Sequence, residues 1–188
     1  MTIPTDLDRR FREAAVRAGL LDAGYDVIES PIGPLLLAAT DRGLLRISFN
    51  RGYDPEATLE EIARVAGPRV LRAPRAVDAA HRELDEYFAG RRHAFDLAID
   101  LRGQASFSVV VLGELAKVPY GHTATYGELA TRAGNPKAAR AVGMVMNRNP
   151  VPVVLPCHRI VGASGSLIGY AGGLDIKEQL LRFEGVTL

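Results

Sequence analysis

Cys157 is the only cysteine of the 188-residue chain and stands in Leu155-Pro156-Cys157-His158-Arg159, with an imidazole and a guanidinium as its immediate neighbours. A thiol attacks as its thiolate, and a nearby base or positive charge lowers its pKa from the free value toward neutrality. One reading of this pentapeptide is therefore nucleophilic chemistry at sulfur. The other is that a lone cysteine is a small buried hydrophobe. Consecutive residues of an extended segment point to opposite faces, so His158 can serve Cys157 only if the backbone turns or a water joins them.

The elements just before the cysteine suggest what it would act on. Thr125 followed by Glu128 forms a capping box that opens a short helix, and Asn135-Pro136 places a cap and a first-turn proline at the start of a second one. Joined at Ala133-Gly134-Asn135, the two read as a helix-turn-helix with the second as its recognition helix. That helix carries Ala138, Ala139, Ala141 and Gly143 around one long side chain, Arg140. Small residues let a helix backbone approach closely, which suits the narrow minor groove, with Arg140 as a probe. Ala-rich helices also propagate well and pack tightly for purely structural reasons. Asn147-Arg148-Asn149-Pro150-Val151-Pro152 is turn-rich and can hold the cysteine segment rigidly behind the helix.

Charge supports a local rather than a global contact with phosphates. Net charge is +1, yet residues 1–102 carry 15 basic against 17 acidic residues while residues 103–188 carry 8 against 5. Residues 135–159 hold Lys137, Arg140, Arg148 and Arg159 and no acid. Such a stripe meets phosphates or is a solvated face.

The first half has an α+β pattern and little chemistry. Thr5 caps a helix stopped by Gly19, residues 34–40 and 44–49 flank the turn residues Asp41-Arg42-Gly43 as a hairpin, and helical periodicity spans 55–65 and 74–88. Alternation over 95–100 reads as a strand with Phe95, Leu97 and Ile99 on one face. His81, Glu83, Asp85, Glu86 and His93 are conceivable metal ligands, but the first four lie on an amphipathic helix where such residues usually face water, and no metal is expected. A polar stretch at 102–106 marks a boundary, giving domains 1–102 and 103–188. The second begins with an apolar helix over 107–118. Further on, Ser164-Gly165-Ser166 closes a hairpin, and a last helix over 175–183 returns Lys177 and Glu184 toward the site.

One cysteine rules out an internal disulfide and a zinc site built on several thiolates. The start of the chain lacks the pattern of a secretory signal, and no apolar run approaches the ~20 residues of a membrane span, so a cytoplasmic protein without membrane contact is expected.

Taken together, Tyr126, the Asn135-to-Gly143 helix, Asn149-Pro150, Pro156-Cys157-His158-Arg159, Gly169-Tyr170-Ala171-Gly172-Gly173-Leu174 and Glu184-Gly185 resemble the O6-alkylguanine-DNA alkyltransferases. The likeness is dense over 103–188 and looser before. It implies an α+β protein whose N-terminal domain is ribonuclease H-like, with a small antiparallel sheet and helices, and whose mostly helical C-terminal domain holds a winged helix-turn-helix. It further implies direct repair by a monomer without a cofactor. A modified guanine is flipped out of duplex DNA through the minor groove and Cys157 takes its alkyl group once, irreversibly. By resemblance His158 takes the thiol proton through a water, Glu184 orients His158, Asn149 braces the turn and Tyr126 donates to the departing guanine. Tyr170, Ile160, Pro152 and Gly172 would wall the base pocket, with Lys177 near the cysteine. Lys137, Ala138, Ala139, Arg140, Gly143 and Arg148 would meet DNA. Ala171 stands where relatives often have serine, so a side-chain hydrogen bond to the guanine oxygen is absent there unless the backbone supplies one. Two alternatives stay open: a lesion-binding protein of the same superfamily that transfers nothing, against which Cys157 argues, and a cysteine hydrolase, which leaves the helix-turn-helix unexplained.

Overall fold

The computed structural model describes residues 5–49 and 54–187, and the chain forms two compact units. The first comprises residues 1–91 with 96–102, the second 92–95 with 103–188.

In the first unit, α1 (Thr5–Arg17) ends where expected: Gly19, at φ +64°, and Leu20 donate back to Val16 and Ala15. The capping expected of the Thr5 side chain lies outside the described atoms. The hairpin forms as β2 (Leu35–Thr40) and β3 (Gly43–Phe49). Two strands went unread, β1 (Ala23–Ile28) and β4 (Val70–Arg72), which complete a sheet of order β3-β2-β1-β4. β1 pairs antiparallel with β2 but parallel with β4, so the small sheet is mixed rather than wholly antiparallel. Neither strand advertises itself: β1 contains Gly24 and Asp26, and β4 is three residues long. Gly24 is required by packing, since a Cβ there would come 2.5 Å from the Ala76 Cβ. α2 (Pro55–Ala66) is capped by the Asp54 carboxylate and lays Ile62 against Ala23, Leu36, Ala38 and Leu45 of the sheet.

Two expectations change. The helix over 74–88 starts with a 3₁₀ turn, Pro74–Val77, and becomes α3 only at Asp78–Phe88. Residues 95–100 alternate in burial but form no strand beyond a Leu44–Ile99 bridge. The Asp96 N–H donates instead to the buried Glu83 carboxylate at 2.8 Å. Asp100 fastens the segment by accepting from Thr40 Oγ1 at 2.6 Å and pairing with Arg102 Nε at 2.6 Å.

In the second unit, the apolar helix is α4 (Ser106–Leu115), whose end tightens into turns that carry the chain to Val118. β5 (Ala124–Thr125) leads into α5 (Tyr126–Arg132) with the capping box formed on both sides. α6 is Ala139–Asn147, later than the Asn135 cap implies. Pro136 contributes to a turn closed by Ala138 N–H on Asn135 C=O, and the helix starts after it. Cys157–Arg159 form a 3₁₀ turn, and β6 (Ile160–Val161) follows, paired parallel with β5. The turn at 164–166 therefore closes no hairpin, although Gly162 N–H does bond Ser166 C=O. α7 (Leu174–Phe183) ends the fold. Leu112, Leu115, Leu129, Val142, Leu180 and Leu181 fill this unit's interior. Among the described residues no helix is long and apolar enough to cross a membrane.

Candidate active site

Residues 150–162 are buried without interruption, so the cysteine segment belongs to the interior of the second unit. Its path is fixed by Asn149. The Asn149 amide donates to Leu155 C=O at 2.7 Å and to Cys157 Sγ at 3.1 Å, while its Oδ1 accepts from Val151 N–H at 3.1 Å. Val153 sits at φ +74°, a conformation that costs a β-branched residue about 1–3 kcal/mol. Leu155 N–H on Val151 C=O, at 2.9 Å, closes the turn around it.

The 3₁₀ turn is the backbone turn that the cysteine–histidine pair needs, and it sends the two side chains into different surroundings. His158 is completely buried, and its Nε2 lies 2.8 Å from Glu184 Oε1. Glu184 also accepts Arg159 Nε at 2.8 Å and Nη2 at 2.9 Å, a two-pronged pair, and the Gly121 N–H at 3.3 Å. Burial opposes ionisation of Glu184, but the hydrogen bonds from His158 and Arg159, together with the Arg159 charge, outweigh it and hold the carboxyl at about 2. Burial, only partly opposed by Glu184, lowers the His158 pKa below its ordinary 6.5, so the resting ring is neutral. A carboxylate only accepts, so Nε2 carries the ring proton and Nδ1 presents a lone pair. That Nδ1 is buried and has no hydrogen-bond partner among the described residues.

Arg159 corrects one expectation. Its guanidinium does not activate the thiol; it is spent on Glu184 and on Val118 C=O at 2.6 Å. The cation that acts on Cys157 is Lys177, fully buried, donating to Ile160 C=O at 2.6 Å and Ile168 C=O at 2.8 Å. Burial lowers Lys177 to about 8. Burial pushes the Cys157 thiol up to about 11 against the Asn149 hydrogen bond and the Lys177 charge. The resting sulfur is therefore a thiol rather than a thiolate, and attack requires removal of its proton in the reaction.

Tyr126, the first residue of α5, donates its phenol to Ile168 C=O at 3.1 Å, and burial raises its pKa. Tyr126, Ala139, Arg140 and Gly143 line one side of an open cavity of about 390 Å³. Gly169, from the loop quoted in the sequence motif, and Met146, Asn147 and Ile168, which sequence reasoning missed, complete it. The decisive contact of Ile168 is its main-chain carbonyl, which no residue type reveals. Arg140, Lys137 and Arg148 are exposed, whereas Ala138 is half-buried. Pro152, Ile160 and Gly172 are buried, Tyr170 is half-buried and Ala171 is exposed, and none of these five lines that cavity.

The metal candidates are not brought together. His81 lies 3.5 Å from Asp85, Glu83 is bound to Asp96 N–H, and His93 stacks on Tyr120 in the second unit. No metal-holding cluster occurs among the described residues.

Comparison with known proteins covers both units. A family model described as 6-O-methylguanine DNA methyltransferase, DNA binding domain, matches residues 106–186, and one described as the ribonuclease-like domain of the same family matches 24–101. The methylated-DNA–protein-cysteine methyltransferase of Methanosarcina acetivorans is 44% identical over 167 residues, covering 86% of this chain and 97% of that one. That of Mycolicibacterium paratuberculosis is 43% identical over 161 residues, covering 85% and 91%. Among solved structures, the Mycobacterium tuberculosis O6-methylguanine methyltransferase matches with a TM-score of 0.74 at 40% identity, covering 86% of this chain and 92% of that one. OGT of the same organism in complex with DNA matches with a TM-score of 0.75 at 40% identity, covering 86% and 93%.

Proposed function

Since the chain belongs to the 6-O-methylguanine DNA methyltransferase family, we propose that it repairs DNA directly by moving the alkyl group of an O6-alkylated guanine onto Cys157. The observation that carries the chemistry is the buried sequence Cys157, His158, Glu184, with the lone pair of His158 Nδ1 left open by protein. A neutral imidazole tied through Nε2 to a fixed carboxylate is a base that gains stabilisation as it charges. Directly or through one water, Nδ1 takes the thiol proton. The sulfur then forms its bond to the alkyl carbon as the carbon–O6 bond breaks, and the electron pair leaves with guanine. Tyr126 supplies a proton to that leaving group, exchanging its bond to Ile168 C=O for one to the base. The thioether has no route back, so each molecule acts once and no cofactor enters.

Delivery of the base falls to α6. A flipped guanine costs a few kcal/mol of stacking, and a side chain filling the gap offsets part of that. Arg140, exposed on the rim of the cavity beside Tyr126, is assigned that role in the minor groove. Lys137 and Arg148 take phosphates, and Ala138, Ala139 and Gly143 permit close approach. Tyr170, Ile160, Pro152, Gly172 and Ala171 are assigned to the base pocket. In this reading residues 1–102 are scaffold, residues 103–188 bind DNA and react, and a cytoplasmic monomer suffices.

The test is incubation with a duplex carrying O6-methylguanine, followed by mass spectrometry. One added methyl group is expected on the peptide containing Cys157. Binding of the lesion with an unmodified cysteine would replace this reading with that of a lesion-binding protein.

A further inference from the structure

Glu184 bonds His158 and Arg159 with the same carboxylate, and Arg159 is held in turn by groups outside the reacting set. Arg159 is buried and charged, bonded on one side to Glu184 and at Nη1 to Val118 C=O. Its Cζ lies 5.9 Å from the centroid of the Tyr120 ring, which is over it. Tyr120 in turn is fixed twice. Its hydroxyl donates to Phe183 C=O at 3.2 Å, next to Glu184 in the chain, and its ring is stacked by His93 at 4.1 Å and 20°. His93 belongs to residues 92–95, a short piece of chain that is built into the second unit although 96–102 returns to the first.

We infer that Tyr120 is a positioning residue for alkyl transfer, keeping the Arg159 guanidinium against Glu184 through its ring face, and that His93 braces that ring. The physical ground is that a buried guanidinium loses its hydration and recovers part of it from the negative face of an aromatic ring. With the ring gone, Arg159 shifts toward water, its two bonds to Glu184 loosen, and Glu184 becomes easier to protonate. His158 then loses both its orientation and the partner that stabilises its charged form. Neither Tyr120 nor His93 lines the cavity beside Tyr126 and Arg140, so lesion binding should not change. The inference rests on the alkyl-transfer reading proposed above.

The experiment measures single-turnover methyl transfer to Cys157 against pH, with lesion affinity measured separately, in the full chain and in Tyr120→Leu, Tyr120→Phe and His93→Ala. Tyr120→Leu should lose roughly thirtyfold in rate, the kinetic equivalent of a desolvated cation–π contact, with the acid limb of the profile shifted from that of the parent and lesion affinity unchanged. Tyr120→Phe keeps the ring and should restore most of the rate and the acid limb. His93→Ala leaves Tyr120 in place and should move both readouts in the same direction by roughly twofold, so it tests the brace even where the leucine variant does not fold. A wild-type rate and profile in His93→Ala, or equal losses in Tyr120→Phe and Tyr120→Leu, overturns the inference. Failure of the unsubstituted chain to methylate Cys157 in the same assay would instead overturn the alkyl-transfer reading, so the two failures are told apart.

Discussion

The two units differ in where their strongest ion pairs lie. In the first, most pairs lie at the surface: Arg46 with Glu61, Arg72 with Asp26 and Arg69 with Asp22 each leave at least one side chain more than half exposed. In the second, His158, Arg159, Lys177 and Glu184 are all buried, and His158 and Arg159 converge on the Glu184 carboxylate. Surface pairs contribute little to stability because water and salt screen them. Buried pairs cost a large desolvation penalty that attraction barely repays, so a well-packed apolar substitute is often as stable. The second unit thus carries an arrangement that stability alone does not favour, and the alkyl-transfer chemistry proposed for it accounts for why.

The contrast breaks most sharply at the sulfur. Cys157→Ala should abolish transfer while lesion binding persists, because the substitution removes one buried atom and leaves the α6 surface intact; loss of both activities would point to a damaged fold. Next comes Glu184→Gln. Neutralising one partner of a buried ion pair is expected to cost about 3–5 kcal/mol, measured by denaturant unfolding. The same change should slow transfer roughly 10²-fold or more, as loss of an oriented base does. Arg140→Ala should have a smaller and selective effect, lowering the rate on a lesion duplex while leaving the reaction with free O6-methylguanine nearly unchanged. Equal losses on both substrates would remove Arg140 from base flipping.

Acid separates the units by a different route. The folded Glu184 carboxyl is held at about 2, below its ordinary 4.5. A group depressed in the folded state stabilises fully above its unfolded pKa and ceases to do so as pH falls through the folded one. The Glu184 contribution is therefore intact above about pH 4.5 and declines from there toward about pH 2. Unfolding followed by Tyr fluorescence between these limits should be shallower in Glu184→Gln than in the parent. An identical slope would mean that the carboxyl titrates normally.

Legibility in the sequence followed the range of the interactions involved. The hairpin around Asp41, the Thr125 capping box and the Gly19 stop are set by neighbours a few residues apart, and local chemistry reveals them. β1 and β4 exist through pairing between positions far apart in sequence, and residues 95–100 fail as a strand because the buried Glu83 carboxylate claims the Asp96 N–H. At the site, Cys157 and His158 stand out by type. The role of Arg159 was misread, since adjacency in sequence placed its charge beside the sulfur while the 3₁₀ turn carries it to Glu184. The bond from Tyr126 to Ile168 C=O lay beyond any reading of side chains, because a carbonyl is common to every residue.

The finest test sets one chemical change in both units. Glu61→Gln removes the same charge as Glu184→Gln, from a carboxylate 2.7 Å from Arg46 but half exposed. An exposed pair of this kind is worth about 0.2–1 kcal/mol, and that small amount should vanish in high salt. Denaturation midpoints for parent and Glu61→Gln should therefore nearly coincide at low salt and merge at high salt, whereas the deficit of Glu184→Gln should persist at both. Persistence follows from geometry, because ions that cannot reach a buried carboxylate cannot screen it. A Glu61→Gln deficit as large and as salt-resistant as that of Glu184→Gln would mean that burial does not set the worth of these pairs, and the contrast between the two units would lose its physical basis.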